Sequence, residues 1–352
     1  MIKSLKDISL DITEPEYRQD PALSYSILAS YERGGFGSID KLYDKVESPS
    51  LTFGSAVDAL ITGGQKEFDD NFIIADFPAI KPAEIPIVKK VFDSFKDSYT
   101  DINDIPDSGL LPIIDELGYQ QNWKPETRCK VIKADCLKYY QLLYISKSKT
   151  ILDQYTYNRV YACVRALKDS PQTKEYFCDN DPFNTDIVRY YQLKFKTNMD
   201  GIDYRCMMDL AIVDYKNKVI YPIDLKTSAH REYEFYKSFL QWSYQIQGRL
   251  YWRILRKLMD EDEYFKDFRL ADYQFIVVNN IDNPNPLVWE FESTQALGNI
   301  EIVIKNGTKI ELRDPEVIGK ELRYYLDSKP IVPQEIKIKG KNSLSKWLKE
   351  AV

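Results

Sequence analysis

The sequence predicts an α/β fold, a mixed central sheet flanked by helices, and three neighbouring stretches carry that expectation. Tyr204–Val213 and Lys218–Thr227 each alternate apolar and polar residues, as half-buried strands do. The polar link Tyr215-Lys216-Asn217-Lys218 between them suits a hairpin turn. Glu232–Met259, with no proline and the single Gly248, then reads as one long helix.

The remaining elements follow in order. Leu23–Gly63 reads as helices around two glycine-containing loops, and Phe77–Pro112, with several prolines and mixed charge, as a loop-rich insertion. Cys129–Leu167 is helical, with Tyr139, Tyr140, Leu142, Leu143 and Tyr144 as core. Arg189–Lys196 begins the sheet, Tyr273–Val278 is a further core strand, and Asp314–Leu326 is a late helix ended before Pro330. No internal repeat or low-complexity tract is visible. We expect one domain over residues 1–330, helical over about 17–180 and with its sheet core at about 186–292. A basic tail, 331–352, carries Lys337, Lys339, Lys341, Lys346 and Lys349 around Trp347; it reads as a solvated tail or as a surface docked on DNA or a partner.

Composition narrows the class. The 352 residues are 44% hydrophobic and 29% charged, the balance of a soluble globular protein. No apolar run reaches the length of a membrane span, and Met1–Asp7 lacks a signal peptide's apolar core, so a cytoplasmic location is expected. Cys129, Cys136, Cys163, Cys178 and Cys206 show no C-x-x-C spacing and read as buried or free thiols, without an iron–sulfur cluster. The single histidine, His230, excludes a histidine-rich zinc site and reads as a solvated loop residue. The net charge of −6 argues mildly against a nucleic-acid partner, although a whole-chain sum hides local patches.

Strand geometry points to chemistry. If Lys216-Asn217 is a two-residue loop, Tyr215 faces Lys218 and Asp209 lies opposite Asp224, with Cβ atoms about 4.5–5.5 Å apart. Lys226, two positions on, shares their side of the sheet. Two carboxylates so close repel unless neutralised, and an all-oxygen donor set suits magnesium or manganese. Such a cation lowers the pKa of water and stabilises charge on phosphoryl oxygens, chemistry that hydrolyses a phosphodiester. An acid-x-Lys triplet alone is weak evidence, since about five would arise by chance here. Its pairing with Asp209 is what gives it weight. Pro222 is the discordant residue: it cannot donate to a ladder, and a bulge beside it would shift the register by one. On the helix, Gln247 and Tyr251 share a face with Tyr244 one turn earlier. The tyrosines read equally well as core; the glutamine needs a polar partner.

Asp209, Asp224-x-Lys226 and Gln247-x-x-x-Tyr251 together resemble the PD-(D/E)XK nucleases, with their restriction-endonuclease-like core. Within that superfamily they are similar to the branch of the RecB nuclease domain, lambda exonuclease and the RecE-type phage recombination exonucleases. Ile223-Asp224-Leu225-Lys226-Thr227-Ser228 resembles that branch's active-site strand, and Leu23–Leu28 its opening S-x-S-x-L helix. Phe53–Leu60 resembles its G-x-x-x-H helix, with Asp58 where a histidine is usual. The resemblance spans roughly Leu23–Phe291.

It implies a metal-dependent DNA nuclease, favouring a phage-type double-strand exonuclease, in the host cytoplasm if phage-encoded. Asp209, Asp224, Lys226, Gln247 and Tyr251 would be catalytic. Asp58, Asp209, Asp224 and Leu225 (through its main chain) would hold the metal. A single-strand annealing protein and a homo-oligomeric ring around DNA are further implications. The alternatives are an endonuclease or the nuclease module of a helicase complex, a non-catalytic DNA-binding protein on the same fold, and a glycosidase. A glycosidase would need no Lys226.

Overall fold

The computed structural model describes residues 2–328 apart from 45, 47, 147, 148, 282, 305 and 306. The basic tail lies outside the described residues.

Caps and prolines set the helices of the first half. Thr13 and Glu16 form a reciprocal capping box that starts α1 (Glu14–Gln19), and α2 follows at Tyr25–Gly34. Ser48 accepts from Leu51 N–H and Pro49 opens α3 (Pro49–Thr62). After α4 (Gly64–Asn71) comes the short strand β1 (Phe72–Ile74). The stretch expected to be loop-rich holds two helices, α5 (Ile85–Phe95) and α6 (Asp107–Glu116). Two of its five prolines mark helix starts, Pro86 in the first turn of α5 and Pro106 as the cap of α6; Pro78 and Pro82 lie in the connection before α5, and Pro112 lies inside α6. These helices pack Ile87, Val88, Leu110 and Ile114 against Ile132 and Tyr140 of α7 (Pro125–Ser146). Cys129–Leu167 is not one helix, because β2 (Thr150–Leu152) leaves α7, pairs in parallel with β1 and leads into α8 (Gln154–Asp169). Tyr139 and Tyr140 are core as expected, whereas Tyr144 is exposed.

The central sheet is mixed, with helices on both faces. β3 (Ile187–Met199), β4 (Ile202–Asp214) and β5 (Val219–Ser228) run antiparallel. β5 then pairs in parallel with β6 (Arg269–Leu270) and with β7 (Tyr273–Asn279), which pairs antiparallel with β8 (Leu287–Phe291). The β4–β5 register is the expected one at every rung from Asp214–Val219 to Leu210–Ile223, without a bulge. The turn is longer than two residues: the last rung is Asp214–Val219, and the Asp214 carboxylate accepts from Asn217 N–H. Pro222 keeps its rung with Ala211, and on its other side the neighbouring strand is interrupted between Leu270 and Tyr273. Its missing donor therefore falls where β5 faces the gap between β6 and β7.

One face carries α2, α10 (Tyr244–Glu261) and α11 (Pro315–Ser328), with Ile27, Leu250, Ile254 and Ile318 against Phe195, Met208 and Val277. The other carries α3 and α8, with Val57, Leu60, Val160 and Leu167 against Leu210, Ile212 and Ile276. A pair of short strands, β9 (Ile300–Val303) and β10 (Lys309–Leu312), precedes α11.

The expected long helix Glu232–Met259 is broken. A 3-10 turn at Glu232–Glu234 and α9 (Phe235–Gln241) are separated from α10 by Ser243, which is left-handed with φ 57°. The freed Trp242 carbonyl accepts from Tyr25 Oη at 2.8 Å and Arg33 Nη1 at 3.1 Å. Contacts with α2 thus offset a break that local propensity disfavours. Tyr244, Gln247 and Tyr251 stay together on α10.

Candidate active site

The site lies in a fork. The β4–β5 ladder ends at Leu210–Ile223; beyond it β4 continues beside β3, and β5 beside β7 as far as Ser228–Asn279. Asp209 and Asp224 are the first residues past the last rung, one on each prong. They do not form a rung. Instead the Asp209 carboxylate accepts the Leu225 N–H at 2.9 Å, reaching across the opening. The Leu225 amide serves Asp209, and its side chain packs beside α3 and α8.

Asp224 is buried, 2% exposed. Its Oδ1 accepts from Gln247 Nε2 at 2.5 Å, and its Oδ2 lies 2.6 Å from Lys226 Nζ in an ion pair that lacks hydrogen-bond alignment. The amide nitrogen of the polar residue on the sheet-facing stripe of α10 therefore has a partner, while its Oε1 is buried without one. Lys226 also sits 4.6 Å over the Tyr244 ring. Burial disfavours its ammonium, but the Asp224, Tyr244 and Asp209 charges outweigh burial and raise its pKa. It is a fixed cation. Tyr251 is buried one turn beyond Gln247 in the core, its ring 6.2 Å from that of Tyr273, and no hydrogen bond joins it to the carboxylates among the described residues.

Asp58 enters from the opposite layer. Glycine at 54 lets α3 press on β5: a Cβ there would stand 3.1 Å from Thr227 Oγ1. Asp58 lies one turn further on the same face and accepts from Gln192 Nε2 at 2.7 Å. Burial, then the charges of Glu67, Asp224 and Glu14, push its carboxyl up to about 7, with the Gln192 amide opposing. Burial, then Asp224 and Asp58, hold the Asp209 carboxyl well above the usual range, with Lys226 and the Leu225 amide opposing. Three carboxylates thus feel one another across the fork, with one cation among them.

Among the described residues, no group of three or more His, Cys, Asp or Glu side chains forms a ready-made metal cage. The donor set nevertheless fits a hard divalent cation, which binds through one or two carboxylates and keeps its waters. Asp224 Oδ2 has no aligned donor, and burial first, then the neighbouring carboxylates, raise the carboxyls of Asp58 and Asp209.

No family model and no curated protein matches this chain. Among solved structures it is similar to a chain from Eubacterium rectale described as a "putative exonuclease". The identity is 12% and the TM-score 0.42, over 91% of this chain and 85% of that one. A likeness that loose says nothing about chemistry.

His230 is half-buried in the loop after β5, its N–H on Ser228 Oγ and its carbonyl accepting from Asn279 Nδ2. All five cysteines are free thiols; Cys178 alone is exposed. No helix among the described residues is long and apolar enough to cross a membrane. Sequence reasoning missed Gln192. The signal was present: the inward residues of this strand run Tyr190, then Leu193 and Phe195, a slip in the alternation at Gln192.

Proposed function

We propose that this protein is a magnesium- or manganese-dependent nuclease that hydrolyses DNA phosphodiesters, as an exonuclease in preference to an endonuclease. The observation that carries the reading is the fork itself. Asp209 and Asp224 stand on its two prongs, with Lys226 ion-paired to Asp224 and Gln247 holding the other Asp224 oxygen. A glycosidase would have no use for the lysine; phosphoryl chemistry has. The exonuclease mode rests on the resemblance carried by Gln247-x-x-x-Tyr251.

Asp209 and Asp224, with Asp58 from α3, would hold the cation, which supplies water activation and charge neutralisation at a phosphoryl group. The chain's own residues do the rest. Gln247 fixes the orientation of Asp224, leaving Oδ2 toward Lys226. Lys226, held over Tyr244, places positive charge where a phosphate oxygen or attacking water would sit.

A path of aromatic and basic groups leads outward: Tyr244 packs against Tyr25, Tyr25 bonds the Trp242 carbonyl, and Arg33 lies 5.4 Å over the exposed Trp242 ring. Stacking faces interleaved with cations suit a nucleic-acid strand despite the overall negative charge. The decisive experiment incubates linear and covalently closed circular duplex DNA with the protein, in magnesium or in EDTA, beside Asp224→Ala. Magnesium-dependent loss of linear DNA alone, absent in the variant, is the expected result. Cleavage of the circle would make it an endonuclease, and no cleavage of either would overturn the reading.

A further inference from the structure

The β3–β4 pair carries an irregularity at one place only along its length. Rungs run from Ile187–Asp214 to Tyr191–Leu210 and again from Leu193–Met208 to Met199–Ile202, in one unbroken register. The missing rung is Gln192 opposite Asp209. Gln192 has φ 54°, the left-handed region, inside a thirteen-residue strand. Both strands exchange faces there. In β3 the residues turned toward α10 are Tyr190, then Leu193 and Phe195; in β4 they are Tyr204, Cys206 and Met208, then Ala211 and Val213.

A non-glycine residue in this conformation is disfavoured, and persists where the surroundings dictate it. Neither a turn nor a change of register explains it here. What the kink delivers is the side chain: its Nε2 donates to Asp58 Oδ2 at 2.7 Å, tying α3 to the strand pair beside Asp209. Asp58 has no other side-chain partner among the described residues, its carbonyl being engaged by Thr62 Oγ1 in the helix.

We propose that Gln192 is a positioning residue: its left-handed backbone opposite Asp209 turns its amide onto Asp58 and keeps that carboxylate over the fork. This rests on the reading of the fork as a divalent-cation site. Gln192 touches neither cation nor substrate; it acts through Asp58, as outer groups orient metal ligands elsewhere.

The test separates strand geometry from ligand positioning. Gln192→Gly keeps the left-handed backbone at no steric cost and removes the amide. Gln192→Asn also tolerates it, with an amide one carbon shorter. Manganese binding to the full-length chain is followed by the paramagnetic resonance signal of free Mn2+, alongside the melting temperature. Wild type should bind, and Asp224→Ala should not. Gln192→Gly should melt near the wild-type temperature, relief of the left-handed backbone offsetting the lost Asp58 hydrogen bond, yet bind Mn2+ about 10–100-fold more weakly, with Gln192→Asn between the two.

Undiminished Mn2+ binding by Gln192→Gly, while Asp224→Ala has lost it, would overturn the role of Gln192 and leave the cation site standing. A large fall in melting temperature for Gln192→Gly would also overturn it, by making Gln192 a residue of the fold. No Mn2+ binding by wild type, or equal binding by Asp224→Ala, would instead remove the cation site itself.

Discussion

The Asp209 carboxylate accepts the amide hydrogen of Leu225 at 2.9 Å, bridging two strands one step past the last rung between them. A side chain there takes the place of a backbone acceptor, so the prongs can part without leaving that donor unpaired. At the opening Lys226 of β5 and Gln247 of α10 each hold one oxygen of Asp224, while Asp58 of α3 lies close enough to feel the charges of both carboxylates.

Lys226 should matter more to stability than Asp224. Removing the lysine, as Lys226→Met, leaves buried Asp224 and its neighbour Asp209 without their cation, at a cost of about 3–5 kcal/mol. Asp224→Asn keeps an acceptor for Gln247 and relieves repulsion with Asp209, so urea melts should show a change of under about 1 kcal/mol. The two substitutions combined should cost less than Lys226→Met alone. Strict additivity would show that the pair is not coupled.

Gln247→Ala should lose about 1–3 kcal/mol, because it strips a buried carboxylate of its donor. Cleavage should fall through kcat with little change in KM, since Asp224 loses its fixed orientation while the DNA surface is untouched. A rise confined to KM would place Gln247 in substrate binding instead.

Asp58 gives stability a pH dependence opposite in sign to ordinary acid denaturation. Folded Asp58 holds its proton to about 7, whereas an unfolded aspartate releases it near 3.9. The native state therefore binds more protons between those values, and the contribution is complete below about 4 and lost as pH rises through about 7. Carboxylates held low by arginine or lysine partners, such as Asp314 and Asp20, work in the other direction. The measurement is the difference in melting temperature between wild type and Asp58→Asn in chelator from pH 4 to 8. Asp58→Asn should gain on wild type across that range; a flat difference would contradict the burial of Asp58 among like charges.

Trp242→Ala should weaken binding of single-stranded DNA by about 1–3 kcal/mol, the usual worth of one base stacked on an aromatic ring. Trp242 is 44% exposed, so melting should barely change. Unaltered affinity would move the substrate path away from α9 and α2.

Ser243→Gly should stabilise the protein by up to about 1 kcal/mol, since glycine occupies the left-handed break between α9 and α10 without strain. Ser243→Ala, which keeps the penalty, should not. Thermal melts of the two variants distinguish a required break from a helix distorted by chance.

Residues close in sequence carried much of this arrangement on their own. The hairpin register follows from the alternation along Tyr204–Val213 and Lys218–Thr227 and the short polar link between them, and a one-residue slip would have turned every side chain onto the opposite face of the sheet. The common face of Gln247 and Tyr251 follows from helical period. Three features were decided only by tertiary packing. Ser243 breaks the helix because Tyr25 and Arg33 take up the Trp242 carbonyl, partners more than two hundred positions away in the chain. Helices α5 and α6 form within 77–112, starting at Pro86 and Pro106, because α7 supplies an apolar surface for them. Asp58 meets Gln192 only because glycine at 54 lets α3 approach the sheet, a contact between elements with no local signature. Periodicity is a property of neighbours along the chain, whereas the convergence of charges in the fork depends on which layers come to lie on either side of the sheet.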